Sequence, residues 1–143
     1  MAEAFAGFVC GYGLALLVTP LAAIAIVRAR ATNPTLQRLA PEGTNLVALS
    51  VILHTFAFFA LTAVGMLLGL LLYGLENGRP EGGLGSPNAI YTALVLAIAG
   101  IALLPLAVAL PRLRFVLLAG GLVFVSTFGW LVPYLSLIGP GND

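Results

Sequence analysis

The sequence predicts an all-α integral membrane protein with four transmembrane helices in an up-down bundle. Three observations lead there. Hydrophobic residues make up 61% of the chain's 143 residues and charged residues only 8%, against about 25% charged in a soluble domain. The charges also cluster, leaving charge-free stretches at 4–27, 43–75, 82–111 and 115–142. Each can hold the ~20 apolar residues that cross a bilayer as a helix, and none is long enough for two spans and a turn. Finally, runs such as Leu67-Leu68-Gly69-Leu70-Leu71-Leu72 lack the alternation of a membrane β-barrel, the only other spanning solution. The composition excludes a soluble globule, a disordered tail and a nucleic-acid-binding module, which needs a basic stripe.

The expected spans lie near 5–27, 46–74, 89–110 and 115–138. Inner loops are expected at 28–45 and 111–114, and an outer loop at 75–88, all within one membrane domain, 1–143. Arginine sets the orientation. Arg28, Arg30 and Arg38 follow the first span, and Arg112 and Arg114 separate the third from the fourth. The 75–88 segment holds only Arg79, beside Glu76 and Glu81. The positive-inside rule therefore places the first and third connections in the cytoplasm and both termini outside, in a plasma (inner) membrane. Tyr73, Tyr91, Trp130 and Tyr134 fall toward the expected outer ends, where amphipathic rings favour the interface. Glu3 replaces the positive start of a cleavable signal peptide, and the first apolar stretch is long enough to span. Basic residues that are all arginine, in an Ala/Leu/Gly-rich chain, fit a GC-rich prokaryotic genome.

The first helix contains Gly7, Gly11, Gly13 and Pro20. The loop after it carries Asn33-Pro34, a turn signal. Residues 34–39 then read equally as a short interfacial helix, with Leu36 and Leu39 dipping into the membrane, or as irregular loop. Thr44 or Asn45 can cap the second helix, which is longer than the bilayer requires. The outer loop is rich in glycine and proline, and Ser86 is a cap candidate for the third helix, with Pro87 at its first position. The third helix contains Pro105 and ends at Pro111. Arg112-Leu113-Arg114 alone connects it to the fourth, so these two form a tight antiparallel hairpin.

An apolar-proline run followed by Arg-x-Arg occurs in helices 1 and 3, and a hydroxyl-aromatic cluster occurs in helices 2 and 4. The shared order reads as two parallel copies of a helical hairpin, with chance in an Ala/Leu-rich alphabet as the alternative. Gly7-x-x-x-Gly11, Gly65-x-x-x-Gly69 and the small face Ala93, Ala97, Gly100 are candidates for close helix packing. Ser50, His54, Phe58, Thr62, Gly65 and Gly69 form one stripe of the second helix.

His54 is the only histidine and the one readily titratable side chain expected inside a span. Counting inward from the arginine-bearing ends puts it near the level of Thr19, Pro20, Thr55 and Pro105, with Ser126 and Thr127 slightly deeper. Such a layer can bind a proton, an ion or a small polar molecule. Equally, a neutral imidazole can serve as interhelical glue. The arginines can set topology or bind anionic lipid headgroups. Cys10 stands alone, so a disulfide within the chain and a cysteine metal cluster are excluded, and no metal site is assigned. No catalytic residue is assigned either, because the chain lacks motifs such as His-Glu-x-x-His, Gly-x-Ser-x-Gly or a Walker loop.

The reading that follows is a non-catalytic accessory or structural subunit of a larger membrane complex. Its expected partners are the lipid bilayer and other membrane subunits or a second copy of itself, and not nucleic acid. The first alternative is a small homo-oligomeric transporter or channel using the polar layer around His54. The second is a haem-bearing electron-transfer subunit, in which haem is held through His54 and a ligand from another chain.

Overall fold

The computed structural model describes residues 2–76 and 88–138, apart from the side chains of Leu39 and Arg112. Helices dominate, with no strand among the described residues. Four are long and apolar enough to cross a membrane: Ala2–Thr32, Leu46–Leu75, Ala89–Ala109 and Arg114–Ile138. The first comprises α1 (Ala2–Ala29) and a 3₁₀ turn, Arg30–Thr32. A short α2 (Pro34–Leu39) precedes α3 (Leu46–Leu75) and α4 (Ala89–Ala109). The last rod runs through α5 (Arg114–Ser126), a π-helical segment (Thr127–Leu131) and α6 (Val132–Ile138).

Local chemistry explains the boundaries. Asn33 caps α2 by accepting hydrogen bonds from the Thr35 and Leu36 amides, and Pro34 occupies the first helical position, where no N–H is missed. The helical alternative for 34–39 is thus the one adopted. Asn45, not Thr44, caps α3 through the Val47 amide. Thr44 instead donates through both its amide and its hydroxyl to the Pro41 carbonyl, which also accepts from Arg30 Nη1 at 3.0 Å. Gly43 closes this turn at φ +85°, a left-handed conformation that glycine adopts without steric cost. Asn88 caps α4 through the Tyr91 amide, while Ser86 and Pro87 lie outside the described residues.

The packing is uneven along the rods. One end carries Arg28 and Arg114 and is called here the arginine end; the opposite end carries Glu3 and Glu76. Numbers run oppositely across each close pair: Gly7 meets Gly65 and Gly11 meets Leu61, while Thr92 meets Gly129 and Leu103 meets Gly121. So α1–α3 and α4–α5 are antiparallel hairpins, and α1 joins them by also packing on α6. Toward the glutamate end all four rods share a core of Ala6, Cys10, Leu14, Leu68, Leu72, Tyr91, Val95, Phe128 and Val132. Toward the arginine end the buried cluster is only Ala23, Ala40 and Leu49, supported by Ile26, Val27 and Leu53. The buried residues of α4 are Tyr91, Val95 and Ala99, all in its first half, and α5 buries none. The second hairpin therefore closes on the first at the glutamate end and leaves a cleft at the other.

One sequence expectation is corrected here. Tyr91 is not an interfacial ring but is fully buried, because the first turns of α4 sit where the four rods meet. Two of the carboxylates, Glu3 and Glu76, also leave solvent. Both are buried: Glu3 lies in the first turn of α1 with its backbone against Gly69 of α3, and Glu76 caps the end of α3. Tyr73 and Trp130 remain exposed.

Candidate functional site

The stripe on α3 places His54 over an open groove of about 400 Å³, lined by Thr19, Pro20, Leu46, Val47, Ser50, Val51 and Thr55. The structure thus brings together three residues of the expected polar layer: Thr19, His54 and Thr55. Ser126 and Thr127 do not join them. The next residue, Phe128, packs beside Gly65, eleven residues along α3 from His54, or about 16 Å at the helical rise. Counting from each helix's own arginine end assumes that those ends are level, and this pair of hairpins is not.

The groove's hydroxyls are mostly spent on their own helices. Thr19 Oγ1 donates to the Ala15 carbonyl at 2.6 Å, and Thr55 Oγ1 donates to the Val51 carbonyl at 3.0 Å. Their lone pairs remain as acceptors. The half-buried His54 ring lies 6.5 Å from that of Phe58, which meets Tyr12 edge to face at 5.8 Å. Among the described residues no carboxylate lines the groove, and no group of three or more His, Cys, Asp and Glu is placed to hold a metal. The groove offers one imidazole, weak acceptors and an apolar wall.

The glycine pairs do come together. A Cβ added to Gly7 would strike the Gly65 carbonyl, and one on Gly65 would strike that of Gly7. Gly69 stands in the same way against Glu3, and Gly11 against Leu61. The hydrogens that replace these methyls aim at carbonyl oxygens across the interface, the arrangement of Cα–H···O contacts. By contrast, Ala93 and Ala97 on α4 are exposed, and nothing lies within 4 Å of a Cβ on Gly100.

One polar contact between the second pair of rods escaped the sequence reading. Pro133 has no N–H, so the carbonyl four residues back, on Gly129, loses its helical partner. The chain answers locally with a π segment, in which the Val132 amide bonds the Thr127 carbonyl. Thr92 Oγ1 reaches across from α4 to the freed Gly129 oxygen at 3.0 Å, sharing its one proton with the Asn88 carbonyl of its own helix, also at 3.0 Å. The signal was present in the sequence, since Pro133 marks residue 129 as needing a donor; identifying Thr92 required the fold.

The arginines divide by what they touch. Arg30 holds the turn at Pro41, and Arg114 Nε donates to the Ala107 carbonyl at 3.1 Å, tying the tight connection together. Arg28 and Arg38 are exposed, and the side chain of Arg112 lies outside the described residues.

No protein-family model, curated protein or solved structure matches this chain. Its function is therefore argued from the chain alone.

Proposed function

We propose that the chain is a small multi-pass protein of the plasma (inner) membrane, crossing four times in up-down order with both termini outside. In this reading it works as a non-catalytic subunit that seats against other membrane helices. The observation that carries the reading is the unused side of α4. Only Tyr91, Val95 and Ala99 of its 21 residues are buried within the chain, Ala93 and Ala97 are exposed, and nothing lies within 4 Å of a Cβ on Gly100. Small residues at this spacing allow another helix to approach closely. The glycines of α1 and α3 are already committed to each other, so the small-residue face of α4 is one left open to a neighbour.

The test is a photo-crosslinking residue at position 97 in the native membrane, followed by mild-detergent purification. Adducts to a different membrane polypeptide support the reading. Adducts to the chain itself shift it to a homo-oligomer, and absence of any adduct removes it.

A second reading is a homo-oligomeric transporter or channel, favoured by the half-buried His54 facing its groove with Thr19, Ser50 and Thr55. It requires His54→Ala to abolish flux in reconstituted vesicles while expression is unchanged. A Soret band in the purified protein would instead support haem held through His54.

A further inference from the structure

The cleft at the arginine end has a composition of its own. It lies between α1 and α5, has a volume of about 950 Å³, and is lined by small residues such as Ala22, Ala25, Ala119 and Gly120 together with larger apolar ones such as Leu21 and Val116. Arg28 and Thr32 stand at its end. There it adjoins a smaller cavity of about 120 Å³, which shares Ala29, Thr32 and Leu113 with it and adds Asn33. Asn33 spends its side-chain oxygen on capping α2, so its amide donors remain for another acceptor. Among the described residues no carboxylate lines either cavity, and Arg28 makes no ion pair or hydrogen bond.

We propose that this cleft holds one anionic phospholipid, its acyl chain against the apolar lining and its phosphate at Arg28 and Asn33. The inference rests on the membrane reading but not on the subunit role. Length supports it. From Leu17, at one end of the cleft's α1 wall, to Arg28, near the other, is eleven residues, or about 16 Å. That is about half of a ~30 Å hydrocarbon core, the depth of a single leaflet. Charge supports it as well. A transmembrane helix from a partner would have to cover an uncompensated guanidinium, which is costly in an apolar setting. A phosphate at the same level neutralises it through charge-assisted hydrogen bonds.

The experiment uses the full chain in vesicles of equal phosphatidylcholine and phosphatidylglycerol. Flotation is scored first, and bound lipid is then read by native mass spectrometry after mild-detergent extraction. The wild type is expected to retain one phosphatidylglycerol per chain in preference to phosphatidylcholine. Arg28→Gln should lower that preference about fivefold, the effect of one basic residue at an anionic surface. Gly120→Leu places a side chain in the cleft from a position with nothing within 4 Å of its Cβ. It should displace the lipid while Cys10 stays protected from maleimide. Unchanged selectivity in Arg28→Gln, unchanged lipid in Gly120→Leu, or no selectivity in a floating wild type would each overturn the lipid site alone. A wild type that does not float would overturn the membrane reading and the lipid site together.

Discussion

Gly65→Ala is the most informative single substitution. Its new Cβ would collide with the Gly7 carbonyl oxygen, and would stand 2.8 Å from the Gly7 carbonyl carbon and 2.9 Å from Cε1 of Phe128. Carbon atoms prefer about 3.5–4.0 Å, so α1 must retreat by on the order of 1 Å. Overpacking of this kind costs about 1–3 kcal/mol. The reciprocal Cα–H···O contacts of Gly7 and Gly65 contribute roughly 1–2 kcal/mol together and are lost. Alanine returns about 1 kcal/mol of helix propensity. The net destabilisation is about 1–4 kcal/mol. Cys10 supplies the assay: it is the chain's only cysteine and is 4% exposed in the shared core. A maleimide that fluoresces on conjugation then reports unfolding in detergent as denaturant or temperature rises. Gly13→Ala is the control, since nothing lies within 4 Å of its Cβ; it should hold or slightly raise stability. Equal midpoints for the two variants would refute the claim that α1 and α3 meet backbone to backbone.

Four further outcomes are expected. Thr92→Val removes the donor to Gly129 and should cost ~0.6–1.7 kcal/mol in the same assay, the range of membrane interhelical hydrogen bonds, whereas Thr92→Ser should recover most of it. Combining Gly65→Ala with Gly69→Ala should cost less than the sum of the two, because one helix displacement relieves both collisions. Gly100→Leu should leave the isolated chain's midpoint unchanged yet reduce crosslinking from position 97. Replacing both Arg28 and Arg30 with glutamine should weaken the orientation bias, read as increased access of an impermeant reagent to a cysteine placed at position 42 in a Cys10→Ser background; unchanged access would count against arginine-set topology.

The long helices were legible because charge is so costly in hydrocarbon that eleven residues outline four apolar rods. The turn at Asn33-Pro34, a cap at Thr44 or Asn45, and the glycine motifs were legible because each depends on residues near in sequence or on a periodic face; that Asn33 caps α2 and that the two glycine motifs meet each other were not. The features that escaped depend on how the two hairpins meet. Tyr91 is buried because α4 contributes only its first half to the common core, and no local pattern specifies that. The polar layer failed to extend to Ser126 and Thr127 because counting residues measures depth along one helix, not the offset between helices. The burial of Glu3 follows from a crossing so close that its backbone sits against Gly69 of α3.

The uneven junction also bears on synthesis. The backbone contacts of the tightest interface, α1 against α3, are all made by residues synthesised before 77, although Phe128 later packs beside Gly65. The shared core beyond it is the opposite case, since Cys10 waits for Tyr91, Val95 and Phe128. Ordered assembly is the expected outcome, with an early pair serving as the template on which the late pair settles. Ribosome-arrested chains give the readout: the exposed flank of Cys10 should react with maleimide until α4 and the π segment have emerged, and then fall silent.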